Sequence, residues 1–241
     1  MTFPRIDLLV APPDATDLVL LVHGGQESSR EAAGAWRAAI LRMWPFAVAA
    51  RAGAPGAAVG MMRDRYRGWN GPDADPVADL RVVLDRLPAR ITRVQLVGHS
   101  MGGRAVVAVG NHPLVDGVLA LAPWLPGGEP LVPMRGPVVF AHGTADRITS
   151  PAQTAAYARR LRASGVPVAL LSVADDDHTM LRRSPDWNAL VRDFAAGTTY
   201  KPSLDPDHVD QLPHSKHANN PLRGVLDIAR ARLTLRIVGQ L

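Results

Sequence analysis

Along most of this chain, short apolar runs alternate with longer stretches in which apolar residues recur every three or four positions. Leu18–Val22, Val94–Val97, Gly117–Ala122, Val138–Ala141 and Val168–Val173 carry at most one polar residue each, the pattern of strands covered on both faces. Phe46–Ala50 reads the same way. Ser29–Met43, Asp75–Leu87, Pro151–Arg162 and Ser184–Ala196 have helical spacing. In the second of these, Pro76 sits in the first turn and Val77, Leu80, Val83, Leu84 and Leu87 share one side. Ser184 is placed to cap the last helix, with Pro185 following. The Gly- and Arg-rich stretch Arg51–Gly71 reads as a loop. Strands alternating with helices predict an α/β fold with a mostly parallel, doubly wound sheet flanked by helices. Chemistry in such sheets gathers at the carboxyl ends of the strands.

The pattern changes near residue 197. Residues 1–197 read as one domain and residues 198–241 as a C-terminal extension. Thr198–Pro221 is polar and proline-containing, like a linker. Its His208, His214 and His217 fit no compact helical pair of metal ligands, so an exposed loop and no metal site are expected. From Leu222 to Val238 the chain is apolar again, with Arg223, Arg230, Arg232 and Arg236 interspersed. The first half has helical spacing, and Arg232–Val238 alternates like a strand. This extension has three outlets: docking on the domain, oligomerisation, or contact with a membrane surface.

Composition narrows the function classes. At 241 residues with 47% hydrophobic content, the chain can bury a substantial core. No apolar run reaches the length of a membrane span, so stable membrane insertion is not expected. Met1–Val10 lacks a cationic region followed by a long apolar run, which points to a cytoplasmic protein. There is no cysteine, which removes disulfides, thiolate catalysis and Cys-based metal sites. The net charge of +5 comes almost wholly from scattered arginines, with no basic stripe, so nucleic-acid binding is not expected.

The most informative segment is Val94-Gln-Leu-Val-Gly98-His99-Ser100-Met101-Gly102-Gly103. An apolar run enters Gly-x-Ser-x-Gly, and an apolar, alanine-rich run follows from Arg104 to Val109. Strand, sharp turn and helix expose a serine hydroxyl at the apex, beside a helix N-terminus able to hold developing negative charge. Glycines flank Ser100 because side chains would clash where strand and helix cross closely.

A serine nucleophile needs a base, and the base needs an orienting carboxylate. Asp146 follows the Val138–Ala141 run, and His178 follows the Val168–Val173 run, so both fall at expected strand carboxyl ends with Ser100. Asp175, Asp176 and Asp177, just before His178, read as a solvated acidic turn. For an oxyanion, Met101 offers the N–H after the nucleophile. The loop His23-Gly24-Gly25-Gln26 after Leu18–Val22 offers a second donor, Gly25 first and Gln26 next. His99 reads as a packing or hydrogen-bonding residue, and His142 as structural. Trp124, Met61 and Trp69, with Met62 and Tyr66, fall in segments placed to line an acyl pocket. The Arg63-Asp-Arg-Tyr-Arg67 run reads as a solvated charged loop.

On His23-Gly24-Gly25, Gly98-His99-Ser100-Met101-Gly102-Gly103, Gly143-Thr-Ala-Asp146 and His178, the chain resembles the α/β-hydrolase superfamily over residues 5–197. The resemblance implies a sheet of eight strands or slightly fewer, a Ser100–His178–Asp146 triad, and ester or related acyl hydrolysis without a cofactor. Many members insert a helical lid after the sixth strand. Here only Pro123–Arg135, rich in Pro and Gly, is present between the corresponding runs, so no sizeable cap domain is expected. The chain is similar in this respect to small esterases and lipases. Its substrate would be a small-molecule ester of a small or medium acyl group. Thioester hydrolysis or acyl transfer would use the same groups, and a non-catalytic ligand-binding relative would keep the fold alone.

Overall fold

The computed structural model describes residues 3–34, 37–198, 200–214 and 220–241. Its strands are β1 (Arg5–Val10), β2 (Asp17–Val22), β3 (Ala58–Arg63), β4 (Arg93–His99), β5 (Val115–Leu121), β6 (Val138–Gly143), β7 (Val168–Val173), β8 (Asp210–Gln211) and β9 (Gly239–Gln240). Its helices are α1 (Ala38–Leu41), α2 (Trp44–Gly53), α3 (Asp75–Asp85), α4 (Met101–Ala108), α5 (Pro151–Ala163), α6 (Ser184–Ala195) and α7 (Pro221–Thr234). The strands form one nine-stranded sheet in the order β8-β7-β6-β5-β4-β2-β3-β1-β9. Strands β2 to β8 run parallel to one another, whereas β1 runs antiparallel to both β3 and β9.

The central strands are apolar on both sides because both sides are covered. On one face, Leu20, Leu96 and Phe140 pack with Leu80, Val106, Tyr157 and Leu161 from α3, α4 and α5. On the other, Leu21, Val97 and Leu171 pack with Phe46, Trp187, Leu190 and Ala231 from α2, α6 and α7. This is the mostly parallel, doubly wound sheet that the apolar runs predict. Between β5 and β6, Pro123–Arg135 contains no helix or strand and lies against the body. Arg104 pairs with Glu129 at 2.7 Å, Arg160 donates to the Glu129 carbonyl, and the Tyr157 hydroxyl donates to the Pro130 carbonyl. No cap domain is present among the described residues.

Several local readings differ from the structure. Phe46–Ala50 lies within helix α2, since a short apolar run does not distinguish a buried strand from a buried helix. The run is alanine-rich, and Pro45 occupies the first turn of α2, where its fixed φ favours a helix start. The Arg51–Gly71 stretch contains β3, buried throughout. Ser29–Met43 is helical only over Ala38–Leu41, with Ala35 and Trp36 outside the described residues. Its first part pairs instead with the chain at 66–70. Gly68 N–H donates to Ser29 O, Arg67 N–H to Glu31 O, and the Asn70 carboxamide accepts from Ser29 N–H. Ser184 is the first residue of α6 rather than its cap, and its hydroxyl donates to Asp227.

Among the described residues the sheet has nine strands because the C-terminal extension adds one at each edge to the seven of residues 1–197. Segment 200–213 is held rather than loose. The buried Arg162 guanidinium donates to the carbonyls of Pro206, His208 and Val168, and buried Arg183 to those of Leu212, Pro213 and Ala174. Charge-assisted bonds from buried guanidiniums satisfy carbonyls that a polar linker would leave to water. The extension thus docks on the body, with α7 against α2 and α6 and β9 on β1. His217 lies outside the described residues. No described helix is long and apolar enough to cross a membrane.

Candidate active site

Ser100 occupies a turn only a few residues wide, between β4 and α4. Its backbone has φ 57° and ψ −118°, a conformation that L-residues rarely adopt and that persists only where the surroundings fix it. Ser100 N–H donates to Leu121 O, and Ser100 O accepts from the N–H of Trp124, both at 3.0 Å. The flanking glycines are sterically required. A Cβ on Gly98 would overlap the Gly102 carbonyl, and one on Gly102 would overlap the carbonyls of Val22 and His23. Strand β4 and helix α4 therefore cross closely, and Ser100 projects from the crossing.

Three side chains from three strand ends meet there. His178 Nε2 lies 3.0 Å from Ser100 Oγ, and His178 Nδ1 lies 2.8 Å from Asp146 Oδ2. Asp146 is buried, with its side chain shielded from solvent. Burial by itself would raise its pKa. The hydrogen bonds from His142 and His178, the Thr149 N–H and the His178 charge outweigh that and hold the carboxyl well below its ordinary range. An ionised Asp146 accepts the Nδ1 proton of His178, which leaves Nε2 as the acceptor for the serine hydroxyl.

Four side chains support this chain without being singled out as such by the sequence. His142 bridges Asp146 Oδ2 (3.1 Å) and Thr154 Oγ1 (2.9 Å). Thr149 gives its hydroxyl and N–H to the two Asp146 oxygens, and its oxygen lies 3.1 Å from His178 Nδ1. His99 Nε2 lies 3.1 Å from the His178 carbonyl, which only accepts, so this nitrogen carries the proton. Burial, then the neighbouring His178 charge, push the His99 pKa well below its ordinary value, so the ring stays neutral. The Arg42 guanidinium donates to the carbonyls of Thr179 and Met180, fixing the loop just beyond His178. Burial lowers Arg42 to about 10, which leaves it charged at neutral pH.

The loop after β2 faces the same turn. A Cβ on Gly24 would lie 3.2 Å from Ser100 Cβ, and one on Gly25 would overlap both Arg67 O and the Met101 side chain. Gly25 N–H has no backbone partner among the described residues. Met101 begins α4, where its N–H has no intrahelical acceptor. Gln26 N–H, in contrast, is spent on Arg67 O at 2.8 Å, which removes it as an oxyanion donor. His23 Nδ1 lies 2.8 Å from Gly24 O and must donate to it. Because C=O and N–H point in opposite directions across a trans peptide, this bond turns the Gly25 N–H away from His23.

His23 has its own carboxylate neighbour. Its Nε2 lies 3.7 Å from Asp64 Oδ2, both groups are buried, and neither Nε2 nor the Asp64 oxygens have a hydrogen-bond partner among the described residues. Burial, then the nearby Asp79 charge, raise the Asp64 pKa well above its ordinary value, with Arg65 opposing. Burial lowers His23 to about 4, the Gly24 bond opposing and the Arg63 charge adding. His23 is thus held neutral, and burial disfavours the charged form of Asp64 as well. The run 63–67 is not a solvated loop. Arg63 pairs with Asp7, Arg65 with Asp75 and Asp79, and Arg67 with Glu31, because β3 carries this segment into the body.

Residues expected to line a pocket divide. Trp124 is half-buried and, with Asp146, Ile148, Thr149 and Pro151, lines a depression of about 290 Å³. Trp69 is 5% exposed. It packs edge-on against Trp124, and the Arg104 guanidinium lies 3.7 Å from its ring centre, so it backs Trp124. Met61, at 1% exposure in β3, belongs to the core beside α2 and does not line the site, and Met62 is likewise buried. A second cleft of about 220 Å³ is lined by Gly24, Gly25, Ala38, Ile40, Arg37 and Arg67, among others. Asp176 is fully buried and accepts from Trp187 Nε1 and the Arg183 N–H, so the Asp175–Asp177 turn is only partly solvated. Among the described residues no three His, Asp or Glu side chains gather into a metal site.

The sequence profile described as the alpha/beta hydrolase family matches residues 19–233. The chain belongs to the alpha/beta hydrolase family. Solved structures are similar in fold. Est1E from Butyrivibrio proteoclasticus superposes with a TM-score of 0.57 at 13% identity, covering 81% of this chain and 93% of its own. A Xanthomonas campestris protein described as a serine hydrolase without lid gives 0.57 at 20% identity, covering 80% and 87%. An alpha-beta serine hydrolase homologue from Coxiella burnetii gives 0.59 at 15% identity, covering 78% and 90%. No curated protein matches the chain significantly. As an alpha/beta hydrolase without a cap, the protein leaves the Ser100 turn uncovered by any inserted domain among the described residues.

Proposed function

We propose that this protein is a serine hydrolase that cleaves carboxylic esters of small or medium acyl groups through an acyl-enzyme. The reading rests on one observation, the unbroken hydrogen-bond chain from Ser100 Oγ through both His178 nitrogens to Asp146. His178 Nε2 takes the Ser100 proton as Oγ bonds to the acyl carbon. The carbonyl oxygen gains the negative charge and is held by the N–H groups of Gly25 and Met101. The imidazolium, stabilised by ionised Asp146, returns its proton to the departing alcohol as the C–O bond breaks. Water then attacks the acyl-enzyme, giving its proton to Nε2, and Ser100 leaves with that proton. The acyl group fits the cleft beside Gly24 and Gly25, whose modest volume and missing cap favour short and medium chains. Trp124, which lines the depression with Asp146 and Thr149, would contact the departing alcohol.

A fluorophosphonate probe tests the reading. Labelling at Ser100, and a loss of at least about 10⁴-fold in ester turnover in Ser100→Ala, are expected. A native protein that ignores the probe, or a Ser100→Ala variant with full activity, overturns it. A panel of nitrophenyl esters of increasing chain length, run beside acyl thioesters, reads the substrate class. Faster thioester turnover across the panel would move the assignment to a thioesterase using the same groups.

A further inference from the structure

Helix α7 is apolar on the face it turns to solvent. It docks through Gly224, Ala231 and the following Leu235, all buried, and Gly224 lies against the Leu181 backbone just past His178. Asp227 is tied inward by the Ser184 hydroxyl at 2.7 Å, and Arg232 stacks 4.0 Å over the Trp44 ring. At 100° per residue, the opposite face carries Leu222, Val225, Leu226, Ala229 and Leu233 in one narrow stripe. Their exposure is high, at 72% for Leu222, 53% for Val225, 52% for Leu226 and 85% for Leu233. Such a helix is inverted relative to an ordinary surface helix, which hides its apolar stripe. Exposed Arg223 and Arg230 flank the stripe on one side.

The charge pattern selects the occupant. From Asn220 onward the chain has four arginines (Arg223, Arg230, Arg232, Arg236) and one acid, Asp227, whose carboxylate is already bound, for a net +3. A second copy on the same face would set Arg223 and Arg230 against their equivalents with no acid to offset them. An apolar stripe bordered by long cationic side chains matches the boundary between acyl chains and anionic headgroups, where arginine stems lie along apolar surface and guanidiniums reach phosphate.

We infer that the outward face of α7 docks the protein peripherally on anionic lipid bilayers. The stripe sinks into the headgroup region while Arg223 and Arg230 engage lipid phosphates. This docking does not depend on the hydrolytic reading, and the contact of Gly224 with Leu181 brings the docked surface close to the loop that carries His178.

Sedimentation of the full chain with vesicles tests it, using pure phosphatidylcholine and an equal mixture of phosphatidylcholine with phosphatidylglycerol. The protein should pellet with the mixed vesicles, weakly or not at all with the zwitterionic ones, and less in high salt. Leu222→Glu with Leu226→Glu and Leu233→Glu should weaken binding at least about tenfold. All three positions are exposed, so the thermal midpoint should stay unchanged. Arg223→Ser with Arg230→Ser should remove the preference for the anionic vesicles. Failure to bind the mixed vesicles, or binding unaffected by the glutamates, overturns the inference. So does a dimer in light scattering that the glutamates dissociate, which would assign the face to a second copy.

Discussion

Two histidine–aspartate pairs border the same turn, and their carboxyls are shifted in opposite directions. Asp146 beside His178 receives donors from His142, Thr149 and the Ile148 N–H as well as from His178. Asp64 beside His23 receives none among the described residues and has Asp79 and Asp75 for neighbours. Both carboxyls are buried, so burial does not separate them. The number of donors does: it holds the Asp146 carboxyl well below its ordinary range, whereas the Asp64 carboxyl, without donors, is pushed well above it. An ionised partner fixes the His178 proton on Nδ1 and turns a bare Nε2 toward Ser100, as the proposed reaction requires. His23, itself neutral, is a fixed donor to the Gly24–Gly25 peptide.

The sharpest way to break this contrast is to neutralise each carboxyl in turn. Asp146→Asn should lower kcat by about 10⁴-fold, because the amide imposes the wrong His178 tautomer. Asp64→Asn should change kcat by less than about threefold, since Asp64 makes no hydrogen bond to the Ser100–His178–Asp146 chain and the amide keeps its shape. Equal losses in the two variants would show that Asp64 is ionised and the comparison mistaken.

The neutral histidines give the next largest effect, measured by denaturant unfolding across pH. His23, at about 4 when folded, and His99, also depressed, bind a proton more weakly than in the unfolded chain, where imidazole titrates near 6.5. Between those values the unfolded state holds the extra protons, so stability falls as pH drops. The slope is at most roughly 1.4 kcal/mol per pH unit for each ring. His23→Gln should flatten it, and an unchanged slope would place the titration elsewhere.

A donor count can also be edited. His142→Leu removes one donor from Asp146 and should lower kcat about tenfold while KM holds, in steady-state ester hydrolysis. A pure rise in KM would show that His142 shapes the pocket instead.

The smallest effect has its own sign. The raised pKa of Asp64 means the folded state holds a proton that the unfolded carboxyl releases above about 4, so Asp64 lowers stability as pH rises. Asp64→Asn removes that term, and its stability relative to the native chain should be greater at about pH 8 than at about pH 5. A pH-independent difference between the two would show that Asp64 titrates normally.

Strong local signals were legible in the sequence. The apolar runs of β2, β4, β5, β6 and β7 and the spacing of α3 and α5 are visible because those segments are long, regular and buried on the expected sides. The Gly-x-Ser-x-Gly turn is visible because close crossing leaves no room for a Cβ at Gly98 or Gly102. The positions of Asp146 and His178 after two such runs were enough to name them. Strand β3, with its glycine and two methionines, carries no strand signal, which is why Met61 reads from the sequence as a pocket residue although it lies in the core. The helix expected from Ser29 lost its first part to pairing with the chain at 66–70, a competitor that helical spacing does not register.

What the sequence determined by itself was the order of elements, the turn that strains Ser100, and the identity of the three groups at the strand ends, because each follows from spacing within a few residues. The tertiary structure alone decided which neighbours those groups have. It placed four donors on Asp146 beyond His178 and none on Asp64, spent the Gln26 N–H on Arg67, and used two buried arginines to pin the extension. The physical reason is that a buried group takes its charge from contacts supplied by residues dozens of positions away, and no local pattern encodes those contacts.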